Sequence, residues 1–298
     1  MKISDVTLTL FAWESIPSTI YGHHTARPTG KSDLGLLAVT TDEGLTGNAF
    51  LGTSSNPASL DGPTLIRFLK PILMGQDPLD RERLNRMLRA RARVATVRAI
   101  GACDVALWDI AGKVAGMPIH RLLGTMRDSI AAYASSLEEM RFYWYEDPLA
   151  DQDIYNYVKL KQKLDIPILA TEYPIGGFDS YAPWILERAT DFLRGDVAVK
   201  GGITTLVKTA HLAEAFRMNL EVHHGGNSLN NVANLHVIMA IRNTELFEVL
   251  LPDAMQKYGL AQEIAVDRNG LVHAPTEPGL GAHIDFDLIE RKKIGVLS

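Results

Sequence analysis

The spacing of hydrophobic residues changes near residue 126 and separates the chain into two parts. Before that point, ISDVTLTLFAW (3–13) and LGLLAVTTDEGLTGNAFLG (34–52) alternate apolar and polar positions, as strands with one buried face do. The DEG within the second stretch predicts a hairpin turn. The N-terminal part therefore begins with strands.

Helices are predicted after these strands, and Gly116 and Pro118 end the last of them. The sequence after about residue 265 returns to turn-rich, β-like character. We therefore expect an α+β domain over residues 1–125, to which the tail 265–298 returns. The predicted helices lie around residues 61–73, 78–91 and 94–114.

Beyond residue 126, apolar runs that predict strands each end near an acidic residue or a histidine. The intervals between these residues are 26, 24, 28 and 24, and helix-like segments such as DIYNYVKLKQKL lie between them. This repeat is typical of a (β/α)8 barrel, whose active site lies at the carboxyl ends of its strands. A doubly wound open sheet has the same alternation but binds its ligand at one switch point, so we favour the barrel. The strand-end residues are Glu146, Glu172, Asp196, His224 and Glu248.

Composition narrows the class of protein. The chain has 298 residues, 46% hydrophobic and 22% charged, with a formal net charge of −5, so it can bury one large core or two domains. Its one basic run, RERLNRMLRARARVATVR, falls in a predicted helix and favours a solvated or inter-domain face over phosphate binding. The single cysteine, Cys103, cannot form an internal disulfide, and a buried packing role is expected for it. With neither a signal pattern nor a stretch of about 18 apolar residues, we expect a cytoplasmic protein without membrane or nucleic-acid partners.

The strand-end residues indicate metal and acid–base chemistry. Glu146 and Glu172 supply hard oxygen ligands on adjacent strand ends, which suit Mg²⁺. Asp196 can fix the tautomer and basicity of His224, which then serves as a general base near neutral pH, although a capping or loop role is the alternative. Glu248 would act as an acid or as a hydrogen-bond donor to developing charge. The set predicts proton abstraction alpha to a carboxylate, with a divalent ion stabilising the enediolate.

The order of motifs along the chain resembles the enolase superfamily, specifically its mandelate racemase subgroup. The resemblance extends over nearly the whole chain. It implies an α+β capping domain, a modified (β/α)8 barrel over residues 126–264, and Mg²⁺-dependent removal of the alpha proton of a small carboxylate substrate. We also expect a homo-oligomer. The motifs are ACDVALWDIAGKVAGMPIHRLLG, YWYEDPL, ATE, RGDVAVKGGIT, EVHHGGNS and FEVLLP.

The resemblance also implies roles for particular residues. Glu146 and Glu172 correspond to metal ligands, and His224 with Asp196 to the general acid/base pair. Glu248 is the polar group of the eighth strand. Of the two adjacent histidines, His224 matches the catalytic position, and His223 is left as a substrate-binding residue. The loops YGHHTARP and LGTSSNP match the two mobile loops of the capping domain. In the first loop the candidates for contact with the substrate are His23, His24 and Arg27. An ordinary exposed loop is the alternative for these three residues.

The chain departs from the family before Glu146. One period upstream lie His120 and Arg121, in a predicted helix, so the third-strand Asp that would be the third metal ligand is absent. The family's second-strand Lys-x-Lys is absent as well. The literal match at 159–161 lies within a helix, where a solvated face is expected.

The barrel is also too short. Residues 126–264 provide 139 positions, whereas a barrel of this type takes about 250. We expect barrel strands 2 and 3 to be lacking, with a segment missing between Ser136 and Leu137. The Cα atoms of these two residues should then lie on the order of 10 Å apart or more, instead of at the bonded spacing of about 3.8 Å. A natural deletion is the alternative.

Three functions remain open on the sequence. The first is a Mg²⁺-dependent dehydratase of an acid sugar or related hydroxy acid. The second is a racemase or epimerase on the same scaffold, which would use a lysine from the region that is lacking. The third takes the deletion literally and makes the chain a metal-free remnant with a binding role.

Overall fold

The computed structural model describes residues 1–18, 30–134, 143–172 and 176–298, with only the backbone of 133 and 134. Its N-terminal part is a four-stranded sheet in the order β11-β1-β2-β3, in which the chain's last strand pairs antiparallel with its first. Alternation in β1 buries Val6 and Leu8 against the helices, as the sequence pattern predicts. The strands are β1 Ile3–Glu14, β2 Lys31–Thr41, β3 Thr46–Leu51 and β11 Lys293–Leu297.

The helices that follow cover one face of this sheet. The longest begins at Thr96, whose side chain accepts a hydrogen bond from the Ala99 N–H, and ends at Gly116, which has a left-handed φ of 66°. A β-carbon at Gly47 would lie 2.1 Å from the Ala106 carbonyl oxygen, so this glycine lets the sheet approach the helix closely. The helices are α1 Ala58–Thr64, continued by a π-helical turn Leu65–Leu69, then α2 Lys70–Leu73, α3 Arg81–Arg89, α4 Val97–Ala115 and α5 Ile119–Leu123.

The second part alternates short parallel strands with helices. Four strands form a parallel sheet, and the first and last barrel strands pair parallel in a second sheet. The parallel sheet comprises β5 Tyr145–Glu146, β6 Ile168–Ala170, β7 Phe192–Gly195 and β8 Asn219–Val222, and the second sheet comprises β4 Ser129–Ala134, β9 Leu246–Val249 and β10 Leu271–His273. The remaining helices are α6 Ile154–Lys161, α7 Ala182–Leu186, α8 Ile203–Ala215, α9 Ser228–Ala240 and α10 Phe286–Arg291.

The ladders of the barrel are interrupted in two places. The described parts of the chain provide six parallel barrel strands, and none of their ladders joins β4 to β5 or β8 to β9. On its other edge β4 is paired by β10, an antiparallel strand from the C-terminal tail. The predicted barrel with a capping domain is confirmed as a fold class. The junction between Ser136 and Leu137 lies outside the described residues.

Helix α4 of the cap packs directly on the loop that follows β7. A β-carbon at Gly101 would lie 2.3 Å from the Val197 carbonyl oxygen. The Trp108 indole N–H donates to Thr204 Oγ1 at 2.9 Å, and the Thr204 N–H donates to the Asp104 carboxylate at 2.9 Å. These contacts fix the backbone just beyond Asp196.

Among the helices that the structure describes, none combines the length and the apolar character needed to cross a bilayer.

Candidate active site

Four acids converge at the carboxyl ends of the barrel strands, as the sequence predicts. Parallel strands end at the same edge of a sheet, so the residues that close them are brought together. The register places Glu146 beside Leu169 and Gly195 beside Val222. Their side chains range from 31% exposed for Glu146 to 3% for Glu248. The set consists of Glu146, Glu172, Asp196 and Glu248.

Backbone strain accompanies two of these acids. Asp147, next to Glu146, has φ 37°, and Thr171, next to Glu172, has φ 87°. A β-branched residue at such a φ is an outlier that costs on the order of 1–3 kcal/mol. Thr171 is held there because its hydroxyl donates to the Arg194 carbonyl oxygen and accepts from the Arg194 N–H. Glu172 follows this strained residue directly, and its carboxylate lies near Arg194 and His223.

A buried arginine lies among the three glutamates. The side chain of Arg194 is 1% exposed, and its Nε lies 2.9 Å from Glu146 Oε1 and 3.7 Å from Glu172 Oε2. Its Nη2 donates to Glu248 Oε2 at 2.7 Å. The main-chain N–H of His224 donates to the same Glu248 oxygen at 2.8 Å. Glu248 Oε2 therefore accepts two hydrogen bonds here, and the expected role of Glu248 as an acid or hydrogen-bond donor to charge on the substrate stays a prediction.

The histidine paired with Asp196 is His223. Its Nδ1 lies 2.6 Å from Asp196 Oδ2, and its Nε2 lies 3.5 Å from Glu172 Oε1. The register between β7 and β8 explains why His223, and not His224, faces Asp196. Gly195 pairs with Val222, so the residue after each strand, Asp196 or His223, faces the other.

The expected pairing of His224 with Asp196 is therefore wrong. Successive side chains of an extended chain point to opposite sides, so only one of two adjacent histidines can face Asp196. The His224 ring is buried against Phe247, with ring centroids 4.0 Å apart, and neither ring nitrogen has a hydrogen-bond partner among the described residues. Burial lowers the pKa of His224 to about 3, with His223 and Arg194 adding to the effect. The His224 ring therefore stays neutral and packs against Phe247.

The pair of Asp196 and His223 is held in place by Asn234 of helix α9. The side-chain amide donates to the His223 carbonyl oxygen at 3.0 Å and accepts from the Val197 N–H at 2.9 Å. Asp196 itself accepts from the N–H groups of Ala198 and Val199. One buried side chain thus joins the two loops that carry the pair.

The capping domain reaches the same edge of the barrel. Asn227, just after the two histidines, donates to the Gly52 carbonyl oxygen at 2.9 Å. A β-carbon at Gly226 would lie 3.0 Å from Thr53 Cγ2. The loop LGTSSNP, expected to be one of the two mobile loops of the capping domain, therefore lies beside the loop after β8. His23, His24 and Arg27 lie outside the described residues.

Crowded charges shift the pKa values of this cluster. Burial raises the pKa of Asp147 to about 8, helped by Glu172 and Glu146. Burial also raises the pKa of Glu172, although the positive charges of His223 and Arg194 act to lower it. For His223, burial lowers the pKa, but Glu172 and the hydrogen bond to Asp196 outweigh it and raise the pKa to about 10. His223 is therefore protonated at neutral pH in this arrangement.

Sequence reasoning missed two cations of the site. Arg194 lies two residues before Asp196 on β7, so period-two alternation puts both side chains on one face, and this signal could have identified it. Lys200 is 1% exposed, with its Nζ 4.6 Å from the centre of the Tyr181 ring. Burial lowers the pKa of Lys200 to about 8, against the carboxylates of Asp196 and Glu172.

The donor set does not fit the magnesium ion implied by the resemblance. Mg²⁺ requires near-octahedral oxygen ligands, and the parts of the chain described by the structure contain no group of three or more His, Cys, Asp or Glu side chains arranged to hold a metal. Glu146 and Glu172, the two expected ligands, both face the Arg194 guanidinium. A fixed positive charge thus lies at the position where the ion was expected.

Comparisons with known proteins agree with this fold and site. Residues 86–288 match the family described as Enolase C-terminal domain-like, and residues 8–124 match the family described as Mandelate racemase / muconate lactonizing enzyme, N-terminal domain. These matches cover most of the chain. The fold and the strand-end acids define an α/β barrel enzyme with a capping domain. The chain belongs to the enolase superfamily, in its mandelate racemase / muconate lactonizing enzyme branch, which confirms the resemblance.

The similar curated proteins are mostly acid sugar dehydratases. D-galactonate dehydratase of Ralstonia pickettii (strain 12J) is 26% identical over 357 residues, covering 86% of this chain and 90% of the relative. Arabinonate dehydratase of Saccharolobus solfataricus is 22% identical over 310 residues, covering 77% and 83%. Because the first alignment runs over 357 residues and the chain has 298, at least 59 aligned positions lack a residue of this chain.

A solved structure extends the comparison to three dimensions. D-glucarate dehydratase from Agrobacterium tumefaciens, complexed with magnesium, is 28% identical with a TM-score of 0.83. The match covers 99% of this chain and 100% of that chain. The overall fold is therefore shared along nearly the full length of both.

Proposed function

We propose that this protein removes the alpha proton of a small hydroxy carboxylate and eliminates the neighbouring hydroxyl, as an acid sugar dehydratase does. The observation that carries the proposal is the 2.6 Å contact between His223 Nδ1 and Asp196 Oδ2 at the mouth of the barrel. The predominance of acid sugar dehydratases among the relatives supports the substrate class.

The pair defines the route of the proton. With Nδ1 engaged by Asp196, only Nε2 of His223 is available to a substrate. Neutral His223 accepts the alpha proton at Nε2, and Asp196 stabilises the imidazolium that forms. Because the pKa of His223 is raised to about 10, His223 is mostly protonated at neutral pH. The neutral form that accepts the alpha proton becomes more abundant as the pH rises, so turnover should increase with pH up to about that value.

The same imidazolium then completes the elimination. It returns the proton from Nε2 to the departing 3-hydroxyl, the carbon–oxygen bond breaks, and water leaves. The electron pair of the former alpha C–H bond forms the carbon–carbon double bond of an enol. Tautomerisation of this enol gives a 2-keto acid, so substrate equals product plus one water.

The chain's own cations offset the charge that develops on the substrate. Arg194 and Lys200 are buried near the strand-end acids, where charges interact more strongly than in water. Glu146 and Glu172 are proposed to orient Arg194 and the Nε2 edge of His223. Magnesium enters no step of this proposal, because the described acids face Arg194.

A panel of acid sugars tests the proposal against the two alternatives. Dehydration should yield a 2-keto acid, detected with a carbonyl reagent. A racemase or epimerase would change optical rotation without forming a keto acid, and a binding remnant would do neither. Absence of 2-keto acid from every member of the panel, in protein shown to be folded, would contradict the dehydratase assignment.

A further inference from the structure

Three carboxylates from three different strands meet at one guanidinium. Glu146 closes β5, Glu172 follows β6, and Glu248 lies in β9, yet all three have an oxygen within 2.7 to 3.7 Å of Arg194 nitrogens. These residues are far apart in the sequence, so only the barrel brings them together. The convergence is a property of the tertiary structure.

Arg194 is positioned from its backbone outward. Its N–H and carbonyl oxygen are both hydrogen-bonded to the Thr171 hydroxyl, and its carbonyl oxygen also accepts from the Tyr181 hydroxyl at 3.0 Å. Because the Arg194 backbone is fixed and its guanidinium makes charge-assisted contacts, the side chain has little freedom to leave the cluster. The planar guanidinium also offers several donors in fixed directions, which suits several carboxylates at once.

We propose that Arg194 is the resident cation of the strand-end cluster, orienting the three glutamates and excluding a divalent ion from the position between Glu146 and Glu172. Like charges at a few ångströms repel, and a divalent ion would compete with the guanidinium for the same carboxylate oxygens. In this account Arg194 and the three glutamates hold one another in position, in addition to the charge that Arg194 offsets in the proposed reaction. The inference concerns cation occupancy and does not depend on which reaction the protein catalyses.

Binding of Mn²⁺ tests this directly, because carboxylate sites that suit Mg²⁺ also take Mn²⁺. Free Mn²⁺ is measured by electron paramagnetic resonance during titration of wild type, Arg194→Met and Arg194→Lys. Removing the cation should tighten Mn²⁺ binding by about tenfold or more, whereas Arg194→Lys, which keeps the charge, should resemble wild type. The gain should vanish when Glu146→Gln and Glu172→Gln are added to Arg194→Met.

A second variant keeps the test decisive where Arg194→Met fails to fold, as judged by circular dichroism. Arg194→Gln combined with Glu248→Gln removes one charge of each sign and leaves Glu146 and Glu172 free to bind an ion, so it should also bind Mn²⁺ more tightly than wild type. Equal Mn²⁺ affinity in wild type and in the folded variant would overturn the proposal. Tight binding to wild type that is lost in Glu146→Gln would overturn it as well.

Discussion

Buried acids occur in two regions of this molecule, and their partners differ. At the seam between cap and barrel, Asp104 accepts from the Thr204 N–H and the Asn85 amide. Asp109, one turn further along α4, accepts from two backbone N–H groups and from Lys113. Each of these seam acids is therefore satisfied largely by neutral donors fixed in the backbone, so its charge is dispersed over the scaffold.

The strand-end acids are arranged differently. Glu146, Glu172 and Glu248 share a single guanidinium, and His223 lies beside Glu172 and Asp196. Lys200 is a further buried cation of the site, although Asp196 and Glu248 also accept from backbone N–H groups. Charges here are balanced by other charges that can gain or lose protons or partners. Burial alone therefore does not mark a functional acid, because the seam acids are buried as well; several acids gathered around shared ionic partners do.

The largest expected effect comes from removing the cation of each region. Arg194→Met leaves three carboxylates without their partner and should lower the free energy of unfolding by about 3–5 kcal/mol. Lys113→Met removes a partly exposed ammonium that also donates to the Thr46 carbonyl oxygen, but Asp109 keeps its two backbone donors, so the change should cost less, about 1–2 kcal/mol. Urea denaturation of both variants measures the difference. Equal losses would erase the distinction between the two regions.

A smaller effect is expected from Asn234, which joins the loops of Asp196 and His223. Asn234→Ala should lower stability by about 1–3 kcal/mol and lower turnover by about tenfold, because the pair loses its alignment. Asn243→Ala is the matched control, since that amide likewise makes two hydrogen bonds to the backbone, donating to the carbonyl oxygens of Ala210 and Met218. The control should lose stability while turnover in the folded fraction stays near wild type. A similar fall in turnover for both would assign Asn234 a purely structural role.

The last effect, which is the smallest within one pH unit of the ordinary histidine pKa, is a pH dependence of stability with opposite signs for two histidines. His236 accepts from the His120 N–H at Nδ1 and donates from Nε2 to the Leu280 carbonyl oxygen, and burial lowers its pKa to about 3. Its unfolded pKa is higher, near 6.5, so the unfolded state binds the proton first and stability falls as the pH drops below that value. At about pH 5.5 the loss should be about 1.4 kcal/mol. The free energy of unfolding is measured against pH for wild type and for His236→Gln, and the difference between the two profiles gives the contribution of His236.

His223 should behave in the reverse way. Its folded pKa, about 10, lies above the ordinary value of 6.5. The stability it contributes is therefore fully present below about pH 6.5 and is lost as the pH rises toward 10. Denaturation of His223→Asn and wild type between these limits measures the difference. A profile that is flat, or that has the same sign as that of His236, would contradict the charge assignment at the strand ends.

The sequence predicts most of the frame of the site. Regular spacing between apolar runs brought Glu146, Glu172, Asp196 and Glu248 to one edge, because that spacing follows from the length of a strand and a helix. The division into an α+β part and a barrel part was predicted from a different signal, the change in the hydrophobic pattern near residue 126. The spacing between apolar runs does not locate a strand end to within one residue. Whether His223 or His224 faces Asp196 depends on a shift of one residue.

The remaining features depend on tertiary contacts. His223 faces Asp196 because Gly195 pairs with Val222, a register that no local pattern specifies. Strand β10 has three residues in a turn-rich tail and becomes a strand because the edge of β4 is available to it. The role of Arg194 is visible only once three distant glutamates are brought together.

Exchange of the alpha proton with solvent tests the central claim, that His223 and not His224 accepts it. The protein is incubated in D₂O with an acid sugar that it turns over, and deuterium at the alpha carbon is followed by nuclear magnetic resonance. Wild type and folded His224→Asn should both incorporate deuterium, whereas His223→Asn should be slower by about 10²-fold or more. Exchange that survives in His223→Asn, or that is lost only in His224→Asn, would contradict the account.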